Sequence, residues 1–277
     1  MKILFWIFLS SFILFCSCSS EPKHADEEAN KSSLKQNTED EVTIGREMAA
    51  RLFARFGNYE NTKAIQYVNF VGRTIADQVG RPELVYRFAI LDTADENGYA
   101  CPGGYIFVTR GLLSKLRTED ELATVLAHEI AHVNAKHMYQ TIQAKKKITW
   151  TETLARLFTH GYGDLGASLS MIVDQGLNVL LNSGYGMEKE FEADKMGITF
   201  AAAAGYDPKA LTAALARISK SGETQVLEKT HPPLQQRLNN LSRYSSENAL
   251  EHGLIPLRAE VLKKRFAKFK LALDGSA

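Results

Sequence analysis

Apolar residues recur every three or four positions through "EVTIGREMAARLFARFG" (41–57) and again through "TKAIQYVNFVGRTIADQVG" (62–80), and each stretch ends on a glycine. That period predicts two amphipathic helices stopped at Gly57 and Gly80. Beyond Pro82 the pattern changes to the β-branched and aromatic run "LVYRFAIL", and after Pro102, Gly103 and Gly104 to "YIFVT" at 105–109; both predict short strands. Residues 164–182 return to an amphipathic helical pattern interrupted by two acids, which favours a packed helix over a membrane span. The pattern near the end, "LRAEVLKKRFAKFKLAL", is basic and amphipathic and predicts a terminal helix docked on the domain, with contact to anionic lipid as the weaker reading.

The N-terminal segment breaks both periods. Lys2 precedes "ILFWIFLSSFILF", 13 uncharged residues. A span needs about 20, so this run predicts the apolar core of an export signal over residues 1–17. "FCSC" follows, a loose form of the bacterial lipoprotein pattern, and makes Cys18 the expected lipidated residue, with Cys16 a weaker acceptor behind bulky Phe15. From 19 to 40 the only large aliphatic residue is Leu34, so residues 18–40 are expected to form a disordered tether. The expected organisation is therefore signal 1–17, lipidated tether 18–40, catalytic domain 41–245 and a helical extension 246–277.

Composition and charge remove some classes. With 45% hydrophobic and 23% charged residues the chain suits one large or two small globular domains. A formal charge of +1 supplies no field for phosphate, and no nucleic-acid module is visible. Cleavage before Cys18 would leave Cys101 as the remaining thiol beyond it, so no intramolecular disulfide framework is expected.

The candidate chemistry lies in "AHEIAH", residues 127–132. Thr118, followed three residues later by Glu121, has the spacing of a capping box, so His128 falls nearly three turns inside a helix. At about 100° per residue, His128 and His132 share one face and can offer two imidazole nitrogens to one ion. Glu129 is one step off that face and suited to act as base on a water at the metal. A metzincin would need glycine at 135 and histidine at 138, where this chain has Ala135 and Met138. His137, about 900° beyond His128 on a continuing helix, would face away and is read as a surface or packing histidine. Two glutamates compete as third ligand. Glu152 has a thermolysin-like spacing, but Arg156 stands four residues on; Glu190 is followed at that distance by Asp194, so one carboxylate can bind metal while the other hydrogen-bonds a ligand imidazole. Glu190 is chosen, and Glu188 and Glu192 are assigned to a solvated face.

"NGYACPGGYIFVTRGLL", "ELATVLAHEIAHVNAKH", "EFEAD" and "THPPLQQR", in that order across roughly 41–243, resemble metallopeptidase family forty-eight, the gluzincins that include the CAAX prenyl proteases and HtpX-type proteases. The resemblance implies one zinc held by His128, His132 and Glu190, with Glu129 as general base and Asp194 behind the ligands. It also implies a place near the zinc for His231, to assist the transition state or fill the open position, and one near the cleft for Arg237. Gly98 departs from the family, where alanine usually follows the asparagine matching Asn97.

The expected fold is α+β, mostly α: a zincin-like metalloprotease domain with a small β-sheet and an HExxH active-site helix. The chain lacks the long spans of membrane-embedded relatives and the 34-residue repeat attached to some periplasmic ones, so a water-soluble catalytic domain is expected. The expected activity is hydrolysis of peptide bonds in unfolded or misassembled envelope proteins, with substrate added as a strand beside Asn97–Ala100 or beside 105–109. The expected location is the bacterial cell envelope, lipid-anchored on the periplasmic face of the outer membrane. Two other classes compete: an assembly factor for outer-membrane proteins with a structural zinc, and a zinc-storage or zinc-sensing lipoprotein.

Overall fold

The computed structural model describes residues 23–79, 81–146, 162–221, 225–248 and 256–274. The expected signal, Cys16, Cys18 and Glu152 lie outside those residues. The chain divides into two units, Met1–Asn37 and Thr38–Ala277. Helix α1 is Lys23–Phe56, so residues 23–40, expected as part of a disordered tether, are helical. No glycine or proline stands between Pro22 and Gly45, and the stretch carries four glutamates and three lysines, both good helix formers, so nothing local stops the helix before Gly57, at φ 78°.

In the larger unit a three-stranded sheet, in the order β1 (Arg87–Leu91), β3 (Tyr105–Thr109), β2 (Gly98–Cys101), pairs β1 with β3 in parallel and β2 with β3 antiparallel. The strand predicted over 84–91 is present as the shorter Arg87–Leu91, and that at 105–109 is present in full. Strand β2 falls at the Asn97–Ala100 edge considered for substrate; its four residues beginning with glycine carry little strand signal of their own, and pairing with β3 defines its extent. Side chains alternate between two cores, as the period of two requires. Phe88, Ile90, Ala100, Ile106 and Val108 face one, with α2 (Thr62–Val79); Leu91, Tyr99, Cys101 and Phe107 face the other, with Ile44, Met48 and Leu52 of α1.

The remaining helices are α3 (Arg110–Lys115), α4 (Glu119–Asn134), α5 (His137–Lys146), α6 (Tyr162–Asn178), α7 (Met187–Ala203), α8 (Ala210–Ser221), α9 (Gln225–Thr230), α10 (Leu234–Glu247) and α11 (Pro256–Leu273), with one π turn at Val179–Ser183. This mostly helical architecture with a small sheet is the expected α+β class. Helix α11 carries Leu262, Phe266, Phe269 and Leu273 at spacings of four, three and four, all buried in the core that contains α2 and α4. The Phe269 ring stacks on Tyr67 at 4.5 Å. The basic terminal segment is thus a docked helix. Among the described residues no helix is long and apolar enough to cross a membrane.

One close approach positions the histidines of α4 against α7. A Cβ on Gly197 would lie 2.9 Å from the backbone N and Cα of His128, so only glycine lets α7 touch α4 at this depth. The crossing places Glu190 and Asp194, earlier on α7, opposite the histidines of α4.

Candidate active site

Helix α4 begins as its spacing implies: Thr118 Oγ1 accepts from the Glu121 N–H at 3.1 Å. The return bond goes elsewhere, since Glu121 Oε2 accepts from the N–H of Arg117 at 2.8 Å. Arg217 also pairs with Glu121. These contacts hold the first turn of a helix whose middle is buried almost all round.

Along that buried stretch His128 and His132 bring their Nε2 atoms to 3.1 Å from each other. Glu190 lies across from them. Its Oε2 is 3.5 Å from His128 Nε2, its Oε1 3.7 Å from His132 Nε2, and His231 Nε2 is 3.5 Å from Oε2. One donor atom from each of these four residues lies within 4.8 Å of the other three. Both Glu190 oxygens are buried and accept no hydrogen bond. A buried carboxylate left so would be costly; three imidazole lone pairs and a carboxylate aimed at one point fit a divalent metal of the kind that takes N and O ligands. Burial alone would push the Glu190 carboxyl up, but the His231, His132 and His128 imidazoles outweigh it and hold it well below the usual carboxylate range.

Behind His128 stands Asp194, whose Oδ1 is 3.0 Å from Nδ1, close in distance though without the alignment of a hydrogen bond. Arg237 donates to Asp194 through Nε at 3.0 Å and Nη2 at 2.5 Å, and both side chains are buried. Burial opposes the Asp194 charge, but Arg237 and His128 together bring its carboxyl down to about 2. Arg237, expected near the cleft, is committed by two of its nitrogens to this carboxylate.

His137 departs furthest from the expectation of a histidine turned away from the site. A rotation of 900° holds only on a continuous helix, but α4 ends at Asn134, and Lys136 takes a left-handed φ of 55°. The turn brings His137 back under the site, fully buried, with Nδ1 2.8 Å from His132 Nδ1. Its Nε2 is 3.3 Å from Glu192 Oε2. Glu192, assigned to a solvated face, is indeed 56% exposed yet makes this contact. Tyr185 stacks on His132 at 4.3 Å and donates its hydroxyl to Ala100 O at 2.8 Å, tying the ring to β2. No sequence signal pointed to Tyr185.

Glu129 is buried beside the donor cluster. Burial first, then the charges of Glu190 and Asp194, push its carboxyl up to about 7 against the opposing effect of His128. A Cβ on Gly98 would fall 2.5 Å from Glu129 Oε1, so the departure from alanine at 98 leaves room for the carboxylate where it stands. His231 is held from behind, with Nδ1 3.0 Å from Thr230 Oγ1 and 3.3 Å from Leu227 O. Asn97 Nδ2 donates to the same Thr230 hydroxyl at 3.2 Å, linking the approach to β2 with His231. Of the two strands considered for substrate, β3 is paired on both sides and β2 lies at the edge of the sheet.

A buried HExxH helix crossed by a second helix that supplies a glutamate and, four residues on, an aspartate, over a small mixed sheet, defines a zincin-like metallopeptidase. The chain belongs to peptidase family M48, whose sequence profile matches residues 63–245. It is 29% identical over 185 residues to the mitochondrial metalloendopeptidase OMA1 of Schizosaccharomyces pombe, covering 65% of this chain and 53% of that protein. Against the beta-barrel assembly-enhancing protease of Yersinia pestis it is 27% identical over 213 residues, 74% of this chain and 39% of the relative. Against the protein of that name from Escherichia coli K12 it is 24% identical over 185 residues, covering 62% and 37%. The matches thus span about half of these relatives' length or less.

Proposed function

We propose that this metallopeptidase is a zinc-dependent endopeptidase that cuts unfolded or misassembled cell-envelope proteins, with zinc held by His128, His132 and Glu190. The observation that carries the reading is Glu129, a buried carboxylate beside four convergent metal donors and outside their set. A zinc ion in such a site supplies Lewis acidity toward a carbonyl and acidifies water. Glu129, with its carboxyl raised to about 7, is matched to taking a proton from the attacking water and passing it to the leaving amine near neutral pH. Asp194, anchored by Arg237, orients His128.

His231 is the fourth donor of the cluster, and a four-coordinate zinc that took it as a ligand would keep no position open to water or substrate. We read this as a closed resting form. When His231 swings away, its imidazole becomes available to stabilise the oxyanion, the role that Arg237, paired with Asp194, is poorly placed to share. Substrate would add as a strand to the edge of β2, where backbone pairing reads shape more than side chains. The Tyr185 hydroxyl, which donates to Ala100 O on β2, would have to give up that bond if substrate paired there. The envelope substrate class is supported by the likeness to proteases named for β-barrel assembly, and anchorage at Cys18 by the "FCSC" pattern after the apolar segment.

A second reading is favoured by the same closed set, because four protein ligands are also what a structural zinc takes. In that case the chain would be an assembly factor for outer-membrane proteins. Glu129→Gln separates the two. Metal analysis should find close to one zinc per chain, and mass spectrometry of an unfolded outer-membrane protein should show cleavage reduced by ~100-fold to 10,000-fold. Cleavage equal to wild type would remove the base from the mechanism, and a wild type that binds zinc without cleaving would favour the assembly factor. For the anchor, Cys18→Ser should abolish labelling by a fatty-acid probe and release the chain from the membrane fraction.

A further inference from the structure

We infer that His137 and Glu192 form a relay that fixes the ring and tautomer of His132, doing for this ligand what Asp194 does for His128. The inference rests on the metallopeptidase reading of the site and deepens it. His132 turns Nε2 toward the donor cluster, 3.1 Å from His128 Nε2 and 3.7 Å from Glu190 Oε1. To bind metal that nitrogen must carry a lone pair, so the ring proton of neutral His132 sits on Nδ1. Its partner is His137 Nδ1 at 2.8 Å, which must then accept. The proton of His137 is thereby placed on Nε2, which donates to Glu192 Oε2 at 3.3 Å.

The direction of donation is fixed throughout: His132 to His137, and His137 to a carboxylate that can only accept. If His137 carried its proton on Nδ1 instead, two N–H groups would oppose each other at 2.8 Å or His132 would lose the tautomer that frees Nε2. His137 is fully buried, so bulk water does not choose between these states. Glu192, more than half exposed, reaches in to do so. Partners that orient a ligand histidine generally contribute about 10-fold to 100-fold in metal affinity. A histidine that merely filled space beneath His132 would need neither the 2.8 Å contact nor an acceptor behind it. His137 and Glu192 are therefore positioning residues, acting through His132.

The test uses the purified full chain and zinc alone, with affinity measured by competition against a chromophoric chelator and the site probed by cobalt substitution. Glu192→Ala should weaken zinc about 10-fold and alter the cobalt absorption bands, while Glu192→Gln, whose carbonyl still accepts from His137, should stay within about 3-fold of wild type. Glu188→Ala, an exposed acid on the same helix, is the control and should match wild type. His137→Gln should retain more affinity than His137→Leu, since only the amide oxygen can accept from His132. Wild-type zinc affinity and cobalt spectrum in Glu192→Ala would overturn the relay, and that surface variant decides the matter even where the His137 variants fail to fold. Equal losses in His137→Gln and His137→Leu would also overturn it. A wild type that binds no zinc, or a Glu190→Ala variant that binds it fully, would instead overturn the metallopeptidase reading, so the two failures are distinguishable.

Discussion

The two histidines of the HExxH helix are one turn apart, yet the structure backs them in different ways. Behind His128 lies Asp194, and behind Asp194 lies Arg237, all buried; two hydrogen bonds join the guanidinium to the carboxylate. Behind His132 lies a second imidazole, and behind that a glutamate open to solvent. The first support is an ion pair sealed inside the fold, so it is bound up with stability as well as with the ligand. The second ends in water, and removing its last member leaves no buried charge alone. A ligand can thus be oriented either by a group the core depends on or by one the core can spare.

The sharpest way to break this comparison is at its buried end. Arg237→Ala leaves the Asp194 carboxylate without its partner and should cost about 3–5 kcal/mol, a fall in Tm of roughly 6–20 °C for a domain of this size. Thermal unfolding of the zinc-free protein measures it directly, and a change under 2 °C would mean that the two supports do not differ as described. Asp194→Asn keeps the shape and an acceptor but removes the charge. Zinc competition should show ~10-fold to 100-fold weaker binding, a larger loss than Glu192→Gln on the other side.

Glu129 follows His128 on the same helix and reaches toward β2, where Gly98 tests its placement. In Gly98→Ala the new Cβ meets the end of a flexible side chain, so the fold should tolerate it while the carboxylate moves. A displacement of about 1 Å at the reacting centre can cost ~100-fold, so kcat should fall by ~10-fold to 100-fold with zinc content unchanged. Unaltered kcat would show that Glu129 works equally well from a second position. The smallest expected effect lies at the solvent end. Glu192→Ala should leave unfolding free energy within about 0.5 kcal/mol of wild type in urea titration of the zinc-free protein. A loss comparable with Arg237→Ala would erase the distinction between the supports.

Much of the site is local in sequence and could be read there. His128 with His132, and Glu190 with Asp194, are four apart on helices, so 100° per residue puts each pair on one face whatever the rest of the chain does. The Thr118 cap is equally local. The same rotation does not reach His137, because α4 ends at Asn134. Ala135 and Lys136 do not announce a stop, since no glycine marks the left-handed turn. The extent of β2 is not legible for a related reason: Gly98–Cys101 becomes a strand by pairing with β3, and its four residues carry too little pattern to bound it.

By itself, then, the sequence determined which side chains share a helix face, where α4 begins, and which motifs in which order mark the family. Tertiary structure alone decided how those faces meet. Gly197 had to lie against His128 before Glu190 could confront the histidines, and Arg237 had to cross from another helix to claim Asp194. His231 had to be brought by α9, with Thr230 behind it, to within 3.5 Å of Glu190. The reason is physical: neighbours on one helix are related by a fixed rotation, whereas residues tens of positions apart meet only where the packing of whole elements brings them together.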